Sequence, residues 1–378
     1  SHLLNSPGNF TASKLAWIKR HEPDVFARIH KAMLPGDYIA LRMTGRAHTT
    51  PSGLSEGTLW NVQRNDLATE LLDYFEIPPD LFPKPVPTFS EQGVLTPEAA
   101  ETLGLHAGTP VAYRAGDQPN NALSLAVLEP GQVAATAGTS GVVYGVGDTA
   151  TYDPQQRVNT FLHVNPAPDC PRYGTLLCVN GAGILNRWLH DTLAGADNTL
   201  DYAAMNKTAA QAPVGSDGLV LLPYGNGAER TLGNTDLGAS LHGLRFNEHD
   251  RAHLLRAAQE GIVFALHHGL DALRAMDLRI DTVRAGHANM FLSPLFTEAF
   301  ATVTGATVEL VDTDGAVGAA RGAGLGAGIF ADPDEAFAAL SVIDTIVPNP
   351  NHVSDYAAAY DRWSATLSNH LDHSSRYG

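Results

Sequence analysis

The amino-acid sequence predicts a two-domain α/β protein. Its length of 378 residues exceeds what one ordinary core organises. Through the C-terminal two thirds, β-rich runs alternate with long helical stripes, the pattern of a layered α/β sheet. Gly- or Asp-containing turns also follow one another in order at four predicted strand ends, where such sheets present ligand sites. A composition of 44% hydrophobic and 17% charged residues argues against disorder.

Charge and cysteine usage narrow the function classes. The net charge of −16, from 24 basic and 40 acidic residues, is a poor match for nucleic acid, which requires a basic footprint. It leaves room for a nucleotide, because backbone N–H groups can cradle phosphate without net positive charge. Cys170 and Cys178 lack CxxC spacing and suit a reducing, cytoplasmic setting. The most apolar-looking stretch, 316–331, is rich in Gly and Ala and carries Arg321, so a tightly packed helix is expected there and no membrane span. The chain opens at Ser1 without Met, and a further segment is expected upstream.

Along the chain, a first helix is expected over 12–28, with Leu15, Trp17 and Ile18 on one side and Thr11 as N-cap. Thr96-Pro97-Glu98 combines a capping hydroxyl, a first-turn Pro and an early acid, and starts a short helix. Residues 110–113 read as a buried strand that runs into Arg114-Ala115-Gly116-Asp117-Gln118-Pro119 and then a helix over 120–128. Pro119 suits the first helical position, which puts Asp117 just before a helix N-terminus, at a strand end. Glu129-Pro130-Gly131 is a turn, and the domain boundary is set there: residues 1–128 and 129–378.

Beyond the boundary, 132–137 and 142–146 are β-rich runs joined by Gly138-Thr139-Ser140-Gly141, which predicts a hairpin. Strands are expected at 175–179, 219–222, 282–284 and 308–311. Helices are expected at 251–276, where Leu255, Ile262, Leu266, Leu270 and Leu273 recur at helical spacing, and at 316–327. The stripe Tyr356, Tyr360, Trp363, Leu367 marks a C-terminal helix.

Four turns are candidates for chemistry. Asp117 beside a helix N-terminus feels the positive end of the dipole, tends to stay ionised and could serve as a general base, although plain helix capping is the commoner role. Gly138, Thr139 and Ser140 offer successive N–H groups and two hydroxyls, a cradle for polyphosphate, against the bland reading of a tight turn. Gly181 and Gly183 follow a strand and precede an apolar helix, and Gly286 and Asn289 follow the 282 strand. No Gly-Lys dipeptide occurs, so there is no Walker-type loop. Gly322-Ala323-Gly324-Leu325-Gly326-Ala327 satisfies a dinucleotide pattern but lies inside a helical run. His249-Asp250-Arg251-Ala252-His253 imitates a zinc-protease string and reads better as a solvated helix start.

Taken together, these segments resemble the FGGY carbohydrate kinase family, most closely its xylulose kinases. Phe10 to Ile18, around Lys14 and Trp17, is similar to the first family signature, and Leu34-Pro35-Gly36-Asp37-Tyr38 with Thr44-Gly45 to the segment after it. Arg114 to Gln118 stands at the family's catalytic Asp turn, and Gly138 to Gly141 at its phosphate hairpin. Pro223-Tyr224 with Glu229-Arg230-Thr231, and Ala239-Ser240-Leu241-His242-Gly243-Leu244 with Ala257-Ala258-Gln259-Glu260, match two further motifs in order. Departures fall at Asn9, at Gln259 and at Ala285-Gly286-His287, which lacks the usual paired glycines.

The resemblance implies an actin-like, ribonuclease H-like ATPase fold with two domains and a central cleft, the first truncated at its N-terminus. The family's opening Asp-x-Gly-Thr segment has no counterpart here, so the chain alone is expected to be inactive. It further implies transfer of the ATP γ-phosphate, with Mg²⁺, to a sugar hydroxyl, with D-xylulose yielding xylulose 5-phosphate. Asp117 would be the base and would contact the sugar with Gln118. Gly138, Thr139, Ser140, Gly181, Gly183, Gly286 and Asn289 would surround the nucleotide, and no protein metal ligand is assigned. Ribulose, gluconate, a tetritol or glycerol are alternative acceptors, and a non-catalytic nucleotide-binding remnant is the alternative class. Sugar and ATP are the expected partners, without nucleic acid or membrane, and a homodimer is an assembly open to the chain.

Overall fold

The strongest β signal in the sequence, the two runs flanking Gly138-Thr139-Ser140-Gly141, forms the middle of a seven-stranded sheet. In the computed structural model the described residues are 3–6, 8, 10–167, 169–194 and 200–377, with side chains to 373; Ser1, His2 and the departure at Asn9 lie outside them. The sheet strands are β1 Val133–Ala137, β2 Gly141–Gly147, β3 Asn159–Leu162, β4 Tyr173–Val179, β5 Thr282–Gly286, β6 Thr307–Val311 and β7 Val342–Ile346. Their order is β7-β6-β5-β1-β2-β4-β3. β1, β2, β4 and β3 pair antiparallel, with Ala135 opposite Val143 and Val143 opposite Leu177. On the other side β5 runs parallel to both β1 and β6, so the polypeptide must cross over between them, and helices cover the sheet.

Before the sheet, helix α1 is Thr11–His21 and buries Ala12 and Leu15. It is shorter than the expected 12–28. Pro23 lacks an N–H and restricts the residue before it, so the helix stops at His21 and a separate turn of helix runs Pro23–Phe26. Thr11 is its first helical residue, and Phe10 holds the N-cap position without a side-chain bond. Helix α2, Pro51–Glu56, is capped by Thr50, whose hydroxyl accepts from the Gly53 N–H. Its Ser55 hydroxyl accepts from the Leu162 N–H at 2.9 Å, and Asn5 exchanges two bonds with the Thr160 backbone. Side chains thus close the free edge of β3, which would otherwise be open to a foreign strand.

The Pro97–Leu103 helix forms as expected, capped by the Thr96 hydroxyl. The expected strand at 110–113 is reduced to one bridge, Pro110 with Val94; beyond it the Gln92 and Ser90 N–H groups donate to Val111 and Ala112. Pro110 has no N–H to give a ladder, which leaves an extended segment outside any sheet. Helix α3 is Asp117–Ser124, so Asp117 is its first helical residue, Gly116 its N-cap and Pro119 its third.

Helices α4 Gly183–Leu193, α5 Arg251–Arg274, α6 Pro294–Thr304, α7 Gly315–Gly326 and α8 Val353–Tyr377 complete the layers. α5 is buried along most of its length, and Tyr356, Trp363 and Leu367 of α8 join the same core. The Trp363 indole donates to the Leu221 carbonyl at 3.0 Å, and the buried Arg256–Glu260 pair, 2.7 Å apart, reaches the Tyr356 hydroxyl. The His249–His253 string opens α5 through Asp250, which accepts from the Ala252 and His253 N–H groups. No helix among the described residues is long and apolar enough to cross a membrane.

Candidate active site

The site is built where α3, the β1–β2 hairpin and α4 meet. Asp117 is exposed; its Oδ1 accepts from the Gln118 N–H at 2.8 Å and its Oδ2 from the Gln118 side-chain amide at 3.4 Å. Both donors match a carboxylate. Asp117 lies close enough to the hairpin that its charge acts on the Cys178 thiol of β4, beside Ser140. Burial pushes that thiol up, and a hydrogen bond with Ser140 partly offsets it.

The hairpin is anchored through α4. The Gly183 N–H donates to the Gly138 carbonyl at 2.8 Å, and the Ile184 N–H to the Thr139 carbonyl at 3.1 Å. The first N–H groups of α4 are therefore committed to the hairpin and fix its position. Gly181, just before the helix, and Gly183, its first residue, are both required by close approach. A Cβ on Gly181 would stand 1.6 Å from the Pro223 carbonyl oxygen, and one on Gly183 2.1 Å from that of Gly138.

A cavity of about 340 Å³ opens beside this junction and brings together Gly138, Thr139, Gly183 and Asn289. Asn186, Arg187, Tyr202, Asn206 and Met290 also line it. These five were missed in the sequence; the polar pair Asn186-Arg187 in the first turn after Gly181-Ala182-Gly183 was the available signal. Asn289 takes a left-handed conformation, φ 54°, which Asn tolerates, and starts the short helical turn Asn289–Leu292. Gly286 ends β5 outside the cavity lining, 3.4 Å from the Thr313 carbonyl oxygen when a Cβ is added. Gly181 lines a neighbouring apolar cavity of about 620 Å³ with Trp188 and Leu241. Ser140 stays on the Cys178 side.

Two carboxylates flank the site, Glu229 buried and Glu56 half-buried. Glu229 accepts from the Asn180 N–H at 2.8 Å, its other oxygen has no hydrogen-bond partner, and burial pushes it up to about 7. Glu56, at the end of α2, is likewise pushed up to about 7, by burial first and by repulsion from Asp117 second. Nearby, Arg114 and Asp37 lie 3.3 Å apart. Asp37 shifts up and Arg114 down, each toward its neutral form, because burial outweighs their attraction. Among the described residues no group of three or more His, Cys, Asp or Glu could hold a metal ion.

Residues 3–124 match the model of the FGGY family of carbohydrate kinases, N-terminal domain, and residues 133–327 that of its C-terminal domain. The chain is 30% identical over 365 residues to the xylulose kinase of Escherichia coli K12, covering 95% of this chain and 72% of that protein. The crystal structure of xylulose kinase from Rhodospirillum rubrum, 30% identical, superposes with a TM-score of 0.84 over 95% of this chain and 72% of its own. Gluconate kinase from Lactobacillus acidophilus, at 22% identity and a TM-score of 0.86 over 98% of this chain and 74% of its own, shares the fold. The chain belongs to the FGGY family of carbohydrate kinases. It has the family's actin-like, ribonuclease H-like two-domain α/β fold, and is an ATP-dependent sugar kinase.

Proposed function

We propose that this kinase phosphorylates xylulose, giving xylulose 5-phosphate and ADP. The similarity to xylulose kinases over 95% of the chain carries this choice of sugar. We place the first domain at residues 1–128 and the second at 129–378, with the sugar held on the α3 side and the nucleotide on the hairpin side.

In the proposed reaction the sugar hydroxyl oxygen attacks the γ-phosphorus, the bond to the β,γ-bridging oxygen breaks, and ADP leaves. Asp117 orients the hydroxyl and takes its proton, with Gln118 holding the carboxylate and contacting the sugar. Gly138, Thr139 and Ser140 face the phosphates; Gly181 and Gly183 support them through the α4 junction, and Gly286 and Asn289 border the nucleotide. Magnesium would enter with ATP as part of the substrate and neutralise charge on the triphosphate. A cytoplasmic location and a homodimer complete the proposal; exposed Val342 and Ile343 on β7 offer apolar surface for a second copy, to be tested by sedimentation.

Sugar-dependent ADP release, measured side by side on this chain and on the protein extended by the expected upstream segment, with D-xylulose, L-xylulose, ribulose, gluconate, a tetritol and glycerol, tests the reading. D-xylulose is expected to give the highest kcat/KM, and a higher value for any other acceptor overturns the choice of sugar. Asp117→Asn is expected to lower kcat by about 10²–10⁴-fold, the usual contribution of a positioned base. Normal turnover in that variant removes Asp117 from the mechanism.

A further inference from the structure

Glu56 is the one acidic side chain of α2, and it ends that helix against the turn that carries Asp117. The approach is close. A Cβ added to Gly116 would stand 2.1 Å from Glu56 Oε2 and 2.4 Å from Oε1, so the carboxyl group occupies the space where a side chain at position 116 would begin. The Gly116 N–H is the neighbour that favours its charged form, while Oε1 is buried without a hydrogen-bond partner. The base of α2 is itself immobilised, through the Thr50 cap and the bond from Leu162 of β3 to Ser55. Glu56 therefore connects a fixed helix to the N-cap residue of α3, one residue before the proposed base.

We propose that Glu56 is a positioning residue for Asp117: its carboxyl group packs on the Gly116 peptide and fixes the turn from which Asp117 projects. This rests on the reading of Asp117 as the base. Asp117 on α3, Asp37 on the Pro35–Thr44 helix, Tyr113 in the segment before α3 and Tyr144 on β2 are the ionisable groups that face Glu56. Both carboxylates in that set repel it, which adds to the effect of burial. Around neutral pH Glu56 thus passes from a neutral carboxyl group to a second negative charge beside Asp117. That charge opposes the approach of the γ-phosphate.

Three measurements on the full chain test this. Glu56→Ala is expected to lose about 10–100-fold in kcat with little change in KM for ATP, as misplacement of a reacting group does, and Glu56→Gln to recover most of the loss. The wild-type kcat/KM profile is expected to decline through a limb centred near pH 7 that Glu56→Gln lacks. Infrared titration of the protonated carboxyl band, assigned by its loss in Glu56→Gln, is expected to give a midpoint that falls when Asp117→Asn removes the repulsion. An unchanged midpoint, or the same pH limb in Glu56→Gln as in wild type, overturns the proposal. If the wild type phosphorylates no sugar, the choice of reaction falls by itself, and the infrared titration still decides whether Glu56 and Asp117 are coupled.

Discussion

At the scale of single residues, the buried carboxylates set how the fold responds to pH. Glu229 ties the 226–229 loop to the turn before α4: it accepts from Asn180, while Asn180 donates to the Ala228 carbonyl and accepts from Asn226. Burial raises Glu229 from an ordinary 4.5 to about 7. The folded protein therefore holds a proton that the unfolded chain has lost between those values. This contribution to stability is fully present below about 4.5 and is lost as pH rises through about 7. Glu56 has the same sign and the same window. Thermal melts should show Tm falling as pH rises from 4.5 to above 7, beyond any drift in Glu229→Gln, whose slope should be flatter. Equal slopes in the two proteins would remove Glu229 from the account. None of this was legible beforehand. Asp117 could be singled out because Gly116 and Pro119 mark a helix start around it, whereas Glu56 meets Gly116 across sixty residues of sequence, and no local pattern records that contact.

At the scale of elements, the same distinction separates what the sequence reading reached from what it missed. The β1–β2 hairpin, α5, α7 and the apolar stripe of α8 were legible because each is specified by its own periodicity or turn residues. The helix at 12–28 and the strand at 110–113 were overextended because one Pro in each case removed a backbone donor, and the stripe of side chains outweighed it in the reading. The Gly181–Gly183 turn was recognised as a helix start, but its use was not. Its N–H groups meet hairpin carbonyls, a non-local pairing, and its glycines are there to let backbones touch. Gly183→Ala should therefore push the hairpin away, weakening ATP binding by about tenfold or more, roughly 1.4 kcal/mol. Gly181→Ala should cost about 1–3 kcal/mol of stability, since the atom it meets is the Pro223 carbonyl rather than a flexible side chain. Gly286→Ala, with its nearest atom at an ordinary 3.4 Å, should lose distinctly less on both counts. Calorimetric titration of ATP and denaturant melts on the three variants check this order, and an equal loss in all three would refute the steric argument.

At the scale of the whole molecule, α7 joins the proposed nucleotide half to the segment that carries Asp117. Asp314 caps the helix, and Asn120 of α3 donates to the Gly315 carbonyl at 2.8 Å while accepting from the Tyr113 hydroxyl. Along one face its glycines then meet that segment in turn. Added Cβ atoms would stand 2.5 Å from Ser124 at Gly318, 2.8 Å from the Tyr113 ring at Gly322 and 1.9 Å from the Ala112 carbonyl oxygen at Gly326. The run of small residues, read from sequence only as tight packing, is thus the surface on which Asp117, the proposed base, is registered against the hairpin. A methyl group at Gly326 cannot be absorbed by a rotamer, because the atoms it meets, Ala112 O and Ser90 N, belong to paired backbone. Residues 112–116 must shift, and Asp117 with them. The cavity lined by Gly138, Gly183 and Asn289, proposed to take the nucleotide, includes none of these residues. Gly326→Ala should therefore lower kcat by about 10²-fold, the penalty for a displacement near 1 Å, while leaving ATP affinity within about threefold of wild type. Single-turnover rates set beside ATP titration measure the two effects separately. A parallel loss of ATP affinity would mean that α7 supports the nucleotide side as well, and that Asp117 and the hairpin move as one body.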